Sequence, residues 1–279
     1  MADRSPLFCD VALAERIERA EAGLVAAAAR AGHRRGAAGF VMPVAGGVAT
    51  FAGAGSPFDK VAGLGFGGVP GEAELATVER AFADCGAPVQ VELSHLADPA
   101  VGELLTGRGY RLESFENVLG RALDHLPEPV TPSGVEVRRS GDDEFEGWLD
   151  VVADAVARPD AQGVPWHEEF PREVYVAAER DLAAAGVVRY AALCDGVLAG
   201  GAGLRTTEGV AQFAGAATAP AHRRRGVQSA LLAARLADAA AAGCDVAVIV
   251  TQPGSRSQQN AQRRGFDLLY ARAVLVKHP

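Results

Sequence analysis

The sequence predicts an α+β fold made of two diverged copies of one unit. Three observations carry this expectation: landmarks that recur at nearly constant spacing, the order of strand-like and helix-like segments in the second half, and a proline-rich break between the halves. The chain has 279 residues, about twice the ~150 of a common domain, which suits two modest domains.

The recurring landmarks are ordered. Arg108-Gly109-Tyr110-Arg111-Leu112 with Val118-Leu119 is matched by Arg264-Gly265-Phe266-Asp267-Leu268 with Val274-Leu275, 156 positions later. Gly86-Ala87-Pro88 leads into Val89–Leu93 as Gly243-Cys244-Asp245 leads into Val246–Val250, 157 positions later. An Ala-rich helical segment precedes each, Glu72–Asp84 and Val227–Ala242. Gly65–Pro70 matches Gly215–Pro220 at an offset of 150, which makes the first of these glycine-rich runs the fourth strand of the first copy. The offset jumps because six residues, including the basic turn that ends in Gly226, have no counterpart after Pro70. Between the copies, Pro127, Pro129 and Pro132 supply no backbone donors and favour a stiff extended path. The expected division is therefore 1–126, a linker at 127–134, and 135–279.

Period and punctuation give the second copy in order. Val135–Arg138 reads as a strand, and Asp142 or Asp143 caps a helix to about Ala157. A loop with three prolines and a glycine, Arg158–Pro171, leads to a helix at Glu168–Ala185 closed by Gly186. Strands at Val187–Leu193, Val197–Leu204 and Val210–Ala217 are joined by Asp195-Gly196 and Glu208-Gly209, a strong hairpin signal. A helix at Val227–Ala242, a buried strand at Val246–Val250, a helix near Gln258–Arg264 and a strand at Leu268–Val276 complete the copy.

Composition narrows function. An apolar fraction of 49% excludes a disordered chain, and no apolar run approaches the ~20 residues of a membrane span. Met1 to Pro6 shows no secretory signal, so a cytoplasmic protein away from membranes is expected. The net charge of −8 disfavours nucleic acid as a partner. Four scattered cysteines and six histidines show no ligand spacing, so neither a metal nor a disulfide framework is expected.

The chemistry-bearing segment is Thr218–Leu232. A strand ends, Arg223-Arg224-Arg225-Gly226 turns the chain, and a helix starts at once. Helix N-termini leave amide N–H groups unpaired, glycine permits close backbone approach, and flanking arginines add charged donors. The combination points to a phosphate or diphosphate; the alternative is three solvated arginines ahead of a surface helix. Pro220-x-x-Arg223-Arg224-Arg225-Gly226-Val227-Gln228-Ser229-Ala230-Leu231 resembles the acetyl-CoA diphosphate motif of the GNAT superfamily of N-acetyltransferases, Gln/Arg-x-x-Gly-x-Gly/Ala. The likeness extends over 135–279, including Gly265-Phe266 in the closing motif. It implies tandem GNAT-like domains, each with a mixed, mostly antiparallel sheet flanked by helices, the first lacking the phosphate turn. It implies acetyl-CoA as acyl donor, its pantetheine arm in a gap between the fourth and fifth strands beside Ala216 and Thr218. Its diphosphate would lie among Arg223, Arg224, Arg225, Gly226, Val227, Gln228 and Ser229, with Asn260 in contact. The activity implied is acyl transfer to an amine, a small molecule or a peptide.

Two departures bear on this resemblance. Gln228 replaces Gly or Ala, and position 261 is alanine where the family often has a tyrosine as general acid. Tyr270 is the nearest phenol in sequence, with an ordinary strand tyrosine as the alternative. No carboxylate falls on the predicted fourth or fifth strand, and Glu208 sits at a hairpin tip. Trp166 and Glu169 lie where the family shapes its acceptor pocket, although Glu168 and Glu169 equally suit a first helical turn. Without an acid and a base, the rival reading is a CoA-binding sensor. Gly63–Gly68 imitates a dinucleotide fingerprint but lacks its strand and its correctly spaced acid.

Overall fold

A computed structural model describes residues 5–124, 126, 132–159 and 170–279. The chain runs α1 (Val11–Arg34), β1 (Phe40–Val44), β2 (Gly47–Phe51), β3 (Lys60–Ala62), α2 (Glu72–Asp84), β4 (Val89–Ser94), α3 (Pro99–Gly107) and β5 (Arg111–Ala122). The second half runs β6 (Val135–Arg139), α4 (Phe145–Val156), α5 (Arg172–Ala184), β7 (Val188–Cys194), β8 (Val197–Thr207), β9 (Val210–Thr218), α6 (Val227–Ala241), β10 (Val246–Thr251), α7 (Arg256–Arg263) and β11 (Asp267–Lys277). The fold is α+β and mostly antiparallel, as the sequence predicts. Among the described residues no helix is long and apolar enough to cross a membrane.

The residues form two compact units, each discontinuous in sequence. One comprises 1–8, 118–164 and 186–269; its strands are ordered β6-β7-β8-β9-β10, followed by the end of β5 and the start of β11. Its core gathers Leu119, Tyr190, Ala202, Phe213, Leu231, Leu236, Ile249 and Phe266. Asp195-Gly196 and Glu208-Gly209 adopt left-handed backbone, which suits the primed turns of tight hairpins. In α6, Val227, Ala230, Leu231, Leu236 and Ala239 place one helical face in this core.

The other unit comprises 9–117, 165–185 and 270–279, with strands ordered β1-β2-β3-β4, then most of β11, then the start of β5. Asp10 caps α1 by accepting from the Leu13 amide. Residues 272–277 of β11 pair antiparallel with β4, from Arg272↔Ser94 to Lys277↔Val89. The helix α5 packs on α1, with Arg35 making a two-point ion pair to Asp181.

Two expectations from sequence differ here. The compact units do not follow a cut at 127–134, of which 127–131 lie outside the described residues. The last strand of each copy instead lies largely or partly in the unit built on the other. Period-2 patterning sets which face of a strand is buried and leaves its neighbour open. Gly63–Gly68 is not a strand either: β3 stops at Ala62, and the Gly65 carbonyl accepts from the Asp98 amide at 3.1 Å. A Cβ at Gly65 would come within 2.9 Å of the Ala97 Cβ, so this segment is packed onto the start of α3.

Candidate functional site

The site is built on β9. From Thr207↔Val210 to Gly203↔Ala214 the β8–β9 ladder is in register, and it resumes at Ala202↔Ala216, leaving Gly215 unpaired. Gly215 has φ of +40°, a β-bulge at a residue without a Cβ. Residues 210–213 are buried, whereas Gly215 and Ala216 are exposed. On its other side β9 runs parallel to β10 for three pairs only, Val210↔Val246 to Gln212↔Val248. Beyond these the two strands are not paired, and the bulge falls beside the opening. Backbone donors and acceptors of the outer half of β9 are thus placed to pair with an extended ligand.

After Thr218 a single 3-10 turn, Pro220–His222, leads to Arg224 and Gly226, with φ of +63° and +84°. Gly226 caps α6 without any side-chain hydrogen bond, and the first intrahelical bond is Ala230 N–H to the Gly226 carbonyl at 2.9 Å. The amides of Val227, Gln228 and Ser229 therefore lack a capping side chain. A turn of this kind at the positive end of a helix can present successive backbone amides to an anion. A Cβ at Gly226 would meet the Pro132 ring at 2.5 Å, so glycine is required by contact as well as by φ.

The three arginines separate. The Arg223 guanidinium donates to the Thr218 carbonyl at 3.3 Å and to the Ala155 carbonyl at 3.2 Å, and also to that of Arg158, tying the turn to the end of α4. Arg225 pairs with Asp195 at 2.6 Å. Arg224 is exposed and has no partner among the described residues. The Asn260 amide donates to the Gln228 side-chain oxygen, joining α7 to α6. Ala261 is fully buried in the core, so no phenol fits there without repacking. Neither β9 nor β10 contains a carboxylate, and Glu208 is exposed at its hairpin tip. Trp166 and Glu169 lie outside the described residues. The bulge is the feature that sequence reading missed; its signal was a glycine inside a strand pattern.

Tyr270 takes a structural place in the other unit. It is 2% exposed and donates to Glu18 at 2.7 Å. Burial and the Glu18 charge push its phenol well above the usual range, which makes it a poor acid. Glu18 also accepts from the Arg272 Nε at 2.7 Å, and the Arg272 Nη1 lies 3.6 Å from both Glu92 and Glu116. Lys60 pairs with Glu92. Burial, then the Glu92 charge, pushes the Glu116 carboxyl up to about 8 against Lys60 and Arg272. An acid whose pKa is higher folded than unfolded stabilises the fold most below its unfolded value, ~4.3, and loses that contribution as pH rises through 8. Urea unfolding at pH 5 and pH 9 is accordingly expected to show a smaller stability difference in Glu116→Gln than in the unaltered chain; equal differences would contradict this. Among the described residues no group of His, Cys, Asp and Glu is arranged to hold a metal.

Residues 152–266 match the acetyltransferase (GNAT) family. None of the curated proteins compared matches the chain. Among solved structures, a GCN5-related N-acetyltransferase from Kribbella flavida is 21% identical, with 92% of this chain and 96% of that one covered and a TM-score of 0.62. A tandem GNAT protein from the clavulanic acid biosynthesis pathway is 14% identical, covering 86% of this chain and 78% of its own, with a TM-score of 0.59. A GCN5-related N-acetyltransferase from Sphaerobacter thermophilus is 19% identical, covering 75% and 65%, with a TM-score of 0.53. At these identities the likeness is one of fold.

Proposed function

We propose, from the match of residues 152–266 to the acetyltransferase (GNAT) family, that the chain is an acetyl-CoA-dependent N-acyltransferase acting on a small-molecule or peptide amine. The observation that carries this reading is the bulge at Gly215 beside the opening between β9 and β10, directly followed by the uncapped start of α6. The two features supply what an acyl-CoA needs: main-chain partners for an extended arm and amides for a diphosphate.

Acetyl-CoA, when bound, supplies an activated thioester. The amides of Val227, Gln228 and Ser229 would hold its diphosphate, and Arg224 would add charge from the solvent side. Arg223 and Arg225 act on the turn, fixing it to α4 and to Asp195. Ala216 and Thr218 would offer backbone to the pantetheine arm. The amide at the bulge would polarise the thioester carbonyl, a preorganised donor of the oxyanion-hole kind. Lacking carboxylates, β9 and β10 leave removal of the amine proton to water or to residues elsewhere. The unit built on the first copy would not hold the nucleotide. Its α2 begins with Glu72 and Glu74, which repel an anion where α6 attracts one.

The test is thiol release from acetyl-CoA with a panel comprising an aminoglycoside, a polyamine, free amino acids and peptide N-termini. At least one amine is expected to raise release to a turnover on the order of 1 s⁻¹ or more. Binding without release across the panel would favour the CoA-binding sensor, the reading supported by the buried alanine at position 261.

A further inference from the structure

Arg235 is 1% exposed in the middle of α6, and among the described residues no carboxylate pairs with it. An arginine in an apolar core is costly unless its donors are used. Its Nε donates to the Leu231 carbonyl at 3.2 Å, and its Nη1 to the Gly203 carbonyl at 3.0 Å. The guanidinium stacks on the Phe213 ring, 4.4 Å from its centre. Its Nη2 is buried without a hydrogen bond. Burial pulls the group down to about 9, still cationic at neutral pH. A leucine or methionine here would fill the core without these costs, so the arginine's two strand contacts need a reason.

Both contacts fall at the bulge. Gly203 is the β8 residue at which the register breaks, pairing with Ala214 where its predecessor Ala202 pairs with Ala216. Phe213 is the last buried residue of β9 before the bulge. One side chain therefore holds the carbonyl on the β8 side and the ring on the β9 side, from beneath. A bulge lacks part of the ladder that fixes an ordinary strand, and an arginine's planar fork and stacking face supply the constraint in its place.

We infer that Arg235 is a positioning residue for acyl transfer, holding the Gly215–Ala216 bulge at the angle from which its amide meets the thioester carbonyl. The inference rests on the function proposed above and adds a residue that touches neither cosubstrate. Small displacements of a preorganised donor weaken it steeply, so the effect should appear in carbonyl polarisation before it appears in binding.

The test reads the carbonyl directly, by carbon-13 NMR of acetyl-CoA labelled at the acetyl carbonyl and bound to the unaltered chain, Arg235→Met and Arg235→Lys. The unaltered chain is expected to move the carbonyl resonance downfield. Arg235→Met is expected to remain folded, since an apolar side chain replaces an unpaired buried charge, and to bind acetyl-CoA within about threefold of the unaltered chain. It should lose at least about half of the downfield displacement, and Arg235→Lys, which keeps a donor, should recover part of it. Full displacement in Arg235→Met, or a loss that tracks lost binding or a lowered melting temperature, would overturn the positioning role. No displacement in the unaltered chain despite binding would overturn carbonyl polarisation at the bulge, and this role with it. No binding by the unaltered chain would overturn the proposed function itself.

Discussion

Replacing Arg272 by methionine is expected to lower stability by about 3–5 kcal/mol, the range for removing one partner of a buried ion pair. Arg272 and Glu18 are 1% and 2% exposed, and the arginine also faces Glu92 and Glu116. Burial works against the Arg272 charge, but Glu18 and the surrounding oxygens outweigh it and hold the guanidinium firmly cationic. Without it, Lys60 is left as the cation paired with Glu92, and Glu18 keeps only the Tyr270 hydroxyl among its two named donors. Equilibrium urea unfolding at pH 7 measures the loss. Arg272→Lys should recover part of it, because the charge is kept while the fork is lost. A midpoint within experimental error of the unaltered chain for Arg272→Met would show that the cluster is dispensable.

This cluster also shows where sequence reading stops. Helix α2 at Glu72–Asp84, the hairpins around Asp195-Gly196 and Glu208-Gly209, and the turn into α6 are local features, encoded by period and turn residues, and the structure forms them where they are expected. The partners of Arg272 are not local. Glu18 is on α1, Glu92 on β4 and Glu116 on β5, and each reads in its own window as an ordinary surface carboxylate. Only the placement of β11 beside β4 brings them together, and the strand pattern of Leu268–Val276 is equally compatible with another neighbour. The same limit applied to Tyr270, the nearest phenol along the chain, whose partner Glu18 is 252 residues away. At the candidate site the turn into α6 was legible because Arg223–Gly226 are consecutive residues. The bulge was half-legible, through Gly215. The roles of Arg223 and Arg225 were not, because the carbonyl of Ala155 and the carboxylate of Asp195 are brought to them by folding.

Gly226→Val is expected to weaken acetyl-CoA binding by about 100-fold, or about 2.7 kcal/mol. Gly226 has φ of +84°, where a side chain costs roughly 1–2 kcal/mol, more for a β-branched one. The added Cβ would also lie 2.5 Å from the Pro132 ring. Both strains are relieved only by moving the turn, and with it the amides of residues 227–229. Adding Pro132→Gly to the variant should remove the steric part and restore about tenfold of the affinity, leaving the loss due to backbone conformation. Circular dichroism and melting distinguish a displaced turn from an unfolded domain.

The measurement that bears most directly on the account is the reference arm of that series, calorimetric titration of the unaltered chain with acetyl-CoA. The account predicts one site per chain with a dissociation constant on the order of 1 μM to 1 mM, the span of common enzyme KM values, and a strong loss in Gly226→Val. Absence of heat with the unaltered chain, two sites per chain, or binding that Gly226→Val leaves unchanged would contradict it.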